Sequence, residues 1–166
     1  MANVLNKQNV HDRSEVAQAR RRFMDDLGHL YAHYGLSVTF GRAFALLLLR
    51  DQPISLDDLA SELEVSKSAV SVAARDLERA GVARRLTSPG SRRVLYEAND
   101  DMVPIFQATF ARIRQSLPVL QGSDQLASPG RARQRMRDMI DLHEFWLAES
   151  QGIIDRWRKR TRRTGR

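Results

Sequence analysis

Two short amphipathic stretches separated by three residues constrain this chain more than any other feature. Leu56, Leu59, Ala60 and Leu63 recur at spacings of 3, 1 and 3, which places them on one face of a two-turn helix. Ser55 followed three positions later by Asp58 is a variant of the capping box, with Asp in place of the usual Glu or Gln. After Glu64-Val65-Ser66, Ser66 is the expected N-cap of a second helix. Its buried face is Val70, Ala73, Ala74 and Leu77, and Gly81 stops it. Two helices this short, joined by so tight a turn, predict a helix-turn-helix.

The flanking segments extend this unit. Phe40–Leu49 is almost wholly apolar, so it is expected as a scaffold helix buried on most sides, and Asp51-Gln52-Pro53 breaks it. Val82–Ser88 and Arg92–Ala98 are strand-like, with Val82, Leu86, Val94 and Tyr96 as inward candidates. Pro89-Gly90 between them suits a type II turn, and a hairpin at this place is a wing. Upstream, Val16, Phe23, Leu27, Leu30, Tyr31 and Tyr34 recur at close to the helical period, from an N-cap at Ser14 to Gly35. Residues 1–13, polar and aperiodic, are expected as a flexible arm.

Downstream, Asn99-Asp100-Asp101 is expected to cap a helix reaching Leu117 and ended by Pro118. In it Val103, Phe106, Phe110, Ile113 and Leu117 form a packing seam at spacings of 3, 4, 3 and 4. A polar linker, 121–130, precedes a last helix from Arg131. There Met136, Ile140, His143, Leu147, Ser150, Ile154 and Trp157 repeat the seam, broadened by Met139, Leu142, Trp146 and Ile153. The expected fold is mainly α with a small β-hairpin. A winged helix-turn-helix (37–100) is flanked by an N-terminal dimerisation helix (14–36) and C-terminal dimerisation helices (101–157), with a basic tail at 158–166.

Composition excludes several classes of function. The 166 residues suffice for one full core. Lys and Arg number 27 against 20 Asp and Glu, and residues 156–166 hold seven of the cations and no acid, so the rest of the chain is neutral. The longest purely apolar run, Ala43–Leu49, is seven residues, against the ~20 needed to cross a bilayer. No membrane partner is expected, and Met1–Asp12 lacks the apolar region of a secretory signal. The absence of cysteine removes disulfides and thiol chemistry and fits a cytoplasmic address. The sequence offers no Gly-rich phosphate loop, nucleophile–base pair or metal cluster, so neither an enzyme nor a cofactor is expected. His29 and His33 stand at i, i+4 without a third ligand nearby and read as a surface pair, and His143 reads as an interface histidine.

The face of the second short helix opposite its buried stripe carries Lys67, Ser68, Ser71, Val72, Arg75 and Arg79. Residues 66–93 hold seven cations and two acids, whereas 51–64 hold five acids and no cation. Small and cationic groups at helical spacing can approach double-stranded DNA: hydroxyls and Lys67 near a helix N-terminus meet phosphates, Arg75 a guanine edge, Val72 a thymine methyl. The candidate DNA contacts are Ser55, Ser66, Lys67, Ser68, Ser71, Val72 and Arg75, with Ser91, Arg92 and Arg93 on the wing. Two other functions remain open at this level: an architectural DNA-binding protein without base readout, and a winged-helix module for protein interaction. Preference for one palindromic site over random duplex separates the three.

Phe40-Gly41-Arg42, Ala45–Leu49, Pro53-Ile54-Ser55-Leu56, Leu59-Ala60, Leu63, Val65-Ser66-Lys67, Val70-Ser71, Arg75, Leu77-Glu78, Gly81-Val82 and Pro89-Gly90-Ser91-Arg92 together resemble the GbsR branch of the MarR-type winged-helix regulators, over roughly residues 20–100. The resemblance implies a homodimeric transcriptional regulator whose terminal helices make the dimer and whose wing enters the minor groove. It implies DNA contacts at Ser66, Lys67, Ser71, Arg75 and Arg92. Repression is the expected sign, since occluding a promoter requires only occupancy. Glu64 stands where this turn often has glycine; an αL conformation there costs about 1 kcal/mol.

A dimer also follows from physics, because one small reading module rarely reaches useful specificity, whereas a two-fold pair reads half-sites ~34 Å apart. Leu27, Phe106, Phe110, Ile113, Leu117, Ile140, Leu147 and Ile154 are the expected dimerisation residues; an intramolecular helical bundle is the alternative use of the same seams. Phe23, Tyr31, Tyr34, Phe40 and Phe44 are candidates to line a cavity for a small-molecule effector. A quaternary amine, hinted at by the resemblance, would suit them through cation–π attraction, and core packing explains them equally well. Arg156–Arg163 either adds sequence-independent DNA affinity or is a solvated end.

Overall fold

The apolar segment after Ser37 forms the helix around which the first part of the chain is arranged. In the computed structural model this helix, α2 (Val38–Leu48), buries Phe40, Gly41 and Ala43 to Leu47. The structure describes the backbone of residues 2–87 and 93–163, and the side chains of 14–87, 93–107 and 110–161. The chain divides into two units, Met1–Asp101 and Met102–Arg166.

The first unit contains α1 (Ala2–His33), α2, β1 (Ile54–Ser55), α3 (Leu56–Leu63), α4 (Lys67–Arg79), β2 (Ala83–Thr87) and β3 (Val94–Ala98). Ser37 caps α2, its Oγ accepting from Phe40 N–H at 3.0 Å. α1 crosses α2 at Gly28 and Gly41, where a Cβ added to Gly41 would stand 2.7 Å from Gly28 Cα and closer still to Leu27 O. Asp25 and Arg42 pair across the same crossing at 3.1 Å. Val16, Phe23 and Leu30 of α1 stay exposed, as does Tyr34 just after it. α1 starts at Ala2, not at Ser14. Residues 1–13 lack an apolar period, but they also contain no Pro or Gly to stop a helix.

The sheet is antiparallel in the order β1-β3-β2. β1 was not expected. It is two residues long and pairs Ile54 with Tyr96 and Ser55 with Leu95, too short to register as a strand pattern. The last pair of β2 and β3 among the described residues is Thr87 with Val94. Pro89-Gly90 falls outside the described residues.

The second unit consists of α5 (Val103–Leu120), a 3₁₀ turn (Ser123–Leu126) and α6 (Arg131–Arg163). The two helices run antiparallel: Gln121 hydrogen-bonds Glu144 at 3.4 Å, and Phe110, Ala111 and Arg114 share a groove with Ser150, Gln151 and Ile154. Arg133 fastens the intervening turn through the carbonyls of Asp124 and Ala127, at 3.2 and 3.3 Å.

Three expected boundaries differ. Met102, not the Asn-Asp-Asp run, is the N-cap of α5, without a side-chain cap; Pro104 in the first turn lacks an N–H that would need one. Asn99 instead donates to Gly81 O at 2.7 Å. Pro118 lies inside α5, close enough to its end that the missing N–H costs one hydrogen bond of the last turn. The basic tail is helical to Arg163; the cations of its last turn alone complement the helix dipole.

Replacing Gly41 by Ala forces a methyl against the α1 backbone, which cannot yield as a side-chain tip does. A loss of about 1–3 kcal/mol is expected in urea unfolding; unchanged stability would show that the crossing is looser than described.

Candidate nucleic-acid interface

Ser55 opens the site structurally. Its hydroxyl accepts from Asp58 N–H at 3.2 Å and donates to Asp58 Oδ2 at 2.6 Å, so the Ser/Asp capping pair closes as the sequence implies. Ser55 is only 5% exposed. Its hydroxyl is committed to the cap, which corrects its assignment as a DNA contact.

Glu64 ends α3 in the left-handed region, φ 55° and ψ 41°. The turn is secured by Glu64 N–H to Ser61 O at 3.3 Å and Val65 N–H to Ala60 O at 3.1 Å. Ser66 then caps α4, accepting from Ala69 N–H at 3.2 Å, with its Oγ 3.0 Å from that of Ser68. Val70, Ala73, Ala74 and Leu77 are at most 2% exposed, while Val72 is 49% exposed. This division orients α4: Ser66, Lys67, Ser68, Val72 and Arg75 face outward and Ser71 is half-buried. Arg79 is exposed but turned toward Asp76, at 2.7 Å.

Arg93 precedes β3 at the loop end of the hairpin ladder; it is exposed and its Nη2 lies 2.8 Å from Asp58 Oδ2. Lys67 Nζ lies 2.5 Å from Asp57 Oδ1. Ser91 and Arg92, the other wing candidates, lie outside the described residues. Arg84 pairs across the strands with Glu97. The Ser55 hydroxyl and then the Arg93 guanidinium hold the Asp58 carboxyl below its ordinary range. Exposed ion pairs of this kind contribute at most ~1 kcal/mol each, so Lys67 and Arg93 can exchange a carboxylate for a phosphate at little cost.

Sequence reasoning missed the acidic partners and one tie. Asp57 and Asp58 read only as helix-start residues, since nothing local reveals that α4 and the wing return to them. The tie is between Tyr96 of the wing strand and Glu78 of α4: burial first, then the nearby Glu78 carboxylate, raise the tyrosine pKa above its ordinary value.

The five aromatics proposed to line an effector cavity do not form one. The Tyr31 ring meets Phe40 and Phe44 edge-on at centroid distances of 5.2 and 6.0 Å, which fills the space, and Phe23 and Tyr34 are exposed. Among the described residues no three His, Cys, Asp or Glu side chains are grouped to hold a metal, and no helix is long and apolar enough to cross a membrane.

Residues 34–94 match the MarR family, and residues 104–160 match the MmpR5-like MarR family transcriptional regulators. The chain belongs to the MarR family. YvaV of Bacillus subtilis (strain 168) is 24% identical over 148 residues, covering 80% of this chain and 81% of YvaV. The HTH-type transcriptional repressor OpcR of the same organism is 23% identical over 145 residues, covering 80% of this chain and 78% of OpcR. Similarity to the HTH-type transcriptional repressor GbsR, also from that organism, is 25% over 95 residues and spans about half of GbsR; the GbsR branch has this narrower support. A crystal structure of a transcriptional regulator superposes with a TM-score of 0.74 at 23% identity, covering 85% of this chain and 99% of that one, which establishes the shared winged-helix fold. As a MarR-family transcriptional regulator the chain is not an enzyme.

Ser55→Ala removes the α3 cap and one support of the Asp58 carboxylate. A loss of about 1 kcal/mol is expected, with the Asp58 titration, followed by carboxyl NMR, moving up toward the ordinary value. Because the folded pKa is lowered, the part that rests on the ionised Asp58 carboxylate is present at neutral pH and fades as pH falls through the folded value, so the gap between wild type and variant should narrow in acid to what the backbone cap alone contributes. An unmoved titration would remove Ser55 from the pair.

Proposed function

We propose that this MarR-family regulator is a homodimeric repressor that reads a pseudo-palindromic DNA site with α4 and grips adjacent phosphates with its wing. The observation that carries the reading is the outward face of α4, small and cationic from Ser66 to Arg75, in a stretch with a net excess of five cations over residues 66–93. Ser66, Lys67 and Ser68 sit at the α4 N-terminus, where side chains and backbone N–H groups suit a phosphate. Ser71, Val72 and Arg75 are offered to base edges, and Ser91, Arg92 and Arg93 to the backbone beside them. The name of OpcR supports repression, and a cytoplasmic location belongs to the same reading.

Dimerisation is supported by what the helices leave uncovered. α6 carries two apolar stripes. One, with Ser150 and Ile154, which is 6% exposed, is buried within the chain, so Ile154 serves the intramolecular packing with α5. Met139, Leu142, Trp146, Ile153 and Trp157 form the other and are exposed, as is Phe106 at 61%. A stripe of that size on a soluble helix calls for a partner. Leu27, Phe110, Ile113, Leu117, Ile140 and Leu147 are half-buried and are assigned to the margins of the interface. A small-molecule effector is part of the proposal, and the groove between α5 and α6 at Phe110, Arg114 and Ser150 is its candidate seat.

Selection of bound fragments from a random duplex pool tests the function. A two-fold symmetric motif is expected, with half-sites ~34 Å apart; bound fragments without a motif would favour an architectural protein, and no binding would end the DNA reading. Arg75→Ala should cost about 1–3 kcal/mol on the selected site and relax preference at one position per half-site. Trp146→Asp should shift the dimer toward monomer in sedimentation; a fully dimeric product would place the interface elsewhere.

A further inference from the structure

Charge along α6 is segregated. Residues 138–155 hold five acids and no cation, and residues 156–163 hold six cations and no acid. Completing the helix dipole requires cations in the last turn only, and this run fills more than two turns. It also sets like charges at i, i+4: Arg156 with Arg160, Arg158 with Arg162, Lys159 with Arg163, an arrangement that opposes helix formation. α6 nevertheless continues as helix to Arg163, and Arg156, Arg158, Lys159 and Arg160 are exposed. A surface of this charge suits a polyanion that relieves the repulsion.

Its position in the second unit indicates which polyanion. The antiparallel register of α5 and α6, with Gln121 opposite Glu144 and Ala111 sharing a groove with Ile154, brings Arg158 and Lys159 level with the first turns of α5. α5 has no acid and adds Arg112 and Arg114, both exposed. Only residues 99–102 separate Val103 from β3, the wing strand, so the start of α5 is tethered to the wing by a short stretch of chain. The basic run thus lies at the end of its unit that is tethered to the wing.

We propose that the last turns of α6 are a second, sequence-independent contact with the backbone of the same DNA duplex, resting on the function proposed above. Each phosphate neutralised releases a counterion, so the contact acts on affinity and its salt dependence without discriminating between sequences.

The test measures binding of the full chain to a duplex recovered by the selection and to a random duplex of equal length, by fluorescence anisotropy across a salt series. Joint replacement Arg156→Gln, Arg158→Gln, Lys159→Gln and Arg160→Gln should flatten the log–log salt slope by about 3–4 per chain on both duplexes and leave their affinity ratio unchanged. Gln keeps helix propensity, and circular dichroism and sedimentation check the fold and the dimer. Arg156 lies over Gly152; should the fourfold variant lose helix, Arg158→Gln with Lys159→Gln serves instead, with a decrease of about 2 expected. An unchanged slope in a folded variant overturns this contact. Arg75→Ala in the same assay should lower the ratio while changing the slope by at most about 1. That outcome beside a silent α6 overturns only the present inference, whereas a wild-type chain that binds neither duplex overturns both.

Discussion

The packing of Val70, Ala73, Ala74 and Leu77 among the buried residues of the first unit is the constraint from which the rest follows. A 13-residue helix is marginal alone, and these four side chains, at most 2% exposed, hold it in place. A helix pinned along one stripe has no freedom to rotate, so the same contact decides which residues face solvent. The outward position of Lys67, Val72 and Arg75 is a consequence of the core. α2 can serve as that core because it lacks a polar face and because Gly28 and Gly41 let α1 approach closely.

The features that follow on either side of α4 fix its direction and its neighbour. Glu64 accepts a left-handed conformation, at a cost of about 1 kcal/mol, and thereby turns the chain between α3 and α4 within three residues. Buried Tyr96 of the wing strand stands beside Glu78 of α4. The acids of α3 then stand against Lys67 and Arg93, so the proposed binding face is charge-balanced at its edge. Such balance suits the proposed division between exchangeable phosphate contacts and groups offered to bases.

The helix-turn-helix and its burial pattern were legible in the sequence because both signals are local: a 3.6-residue period and a capping residue at each start. The same reasoning placed the outward face of α4. It failed where geometry is set by distant residues. β1 exists only because β3 returns beside it, and Asp57 and Asp58 gain their partners only when α4 and the wing fold back. The seam of α6 was legible as apolar but not as two stripes, since a sequence does not say which one α5 takes. Ser55 was visible as a cap, and its burial, invisible beforehand, is what removes it from the interface.

Backbone amide NMR of the chain titrated with its selected duplex tests the central claim most directly. The largest shift changes are expected from Ser66 to Arg75 and at Arg93, with the buried positions of α2 little affected. Changes confined to other elements, with α4 silent at saturating duplex, would contradict the account.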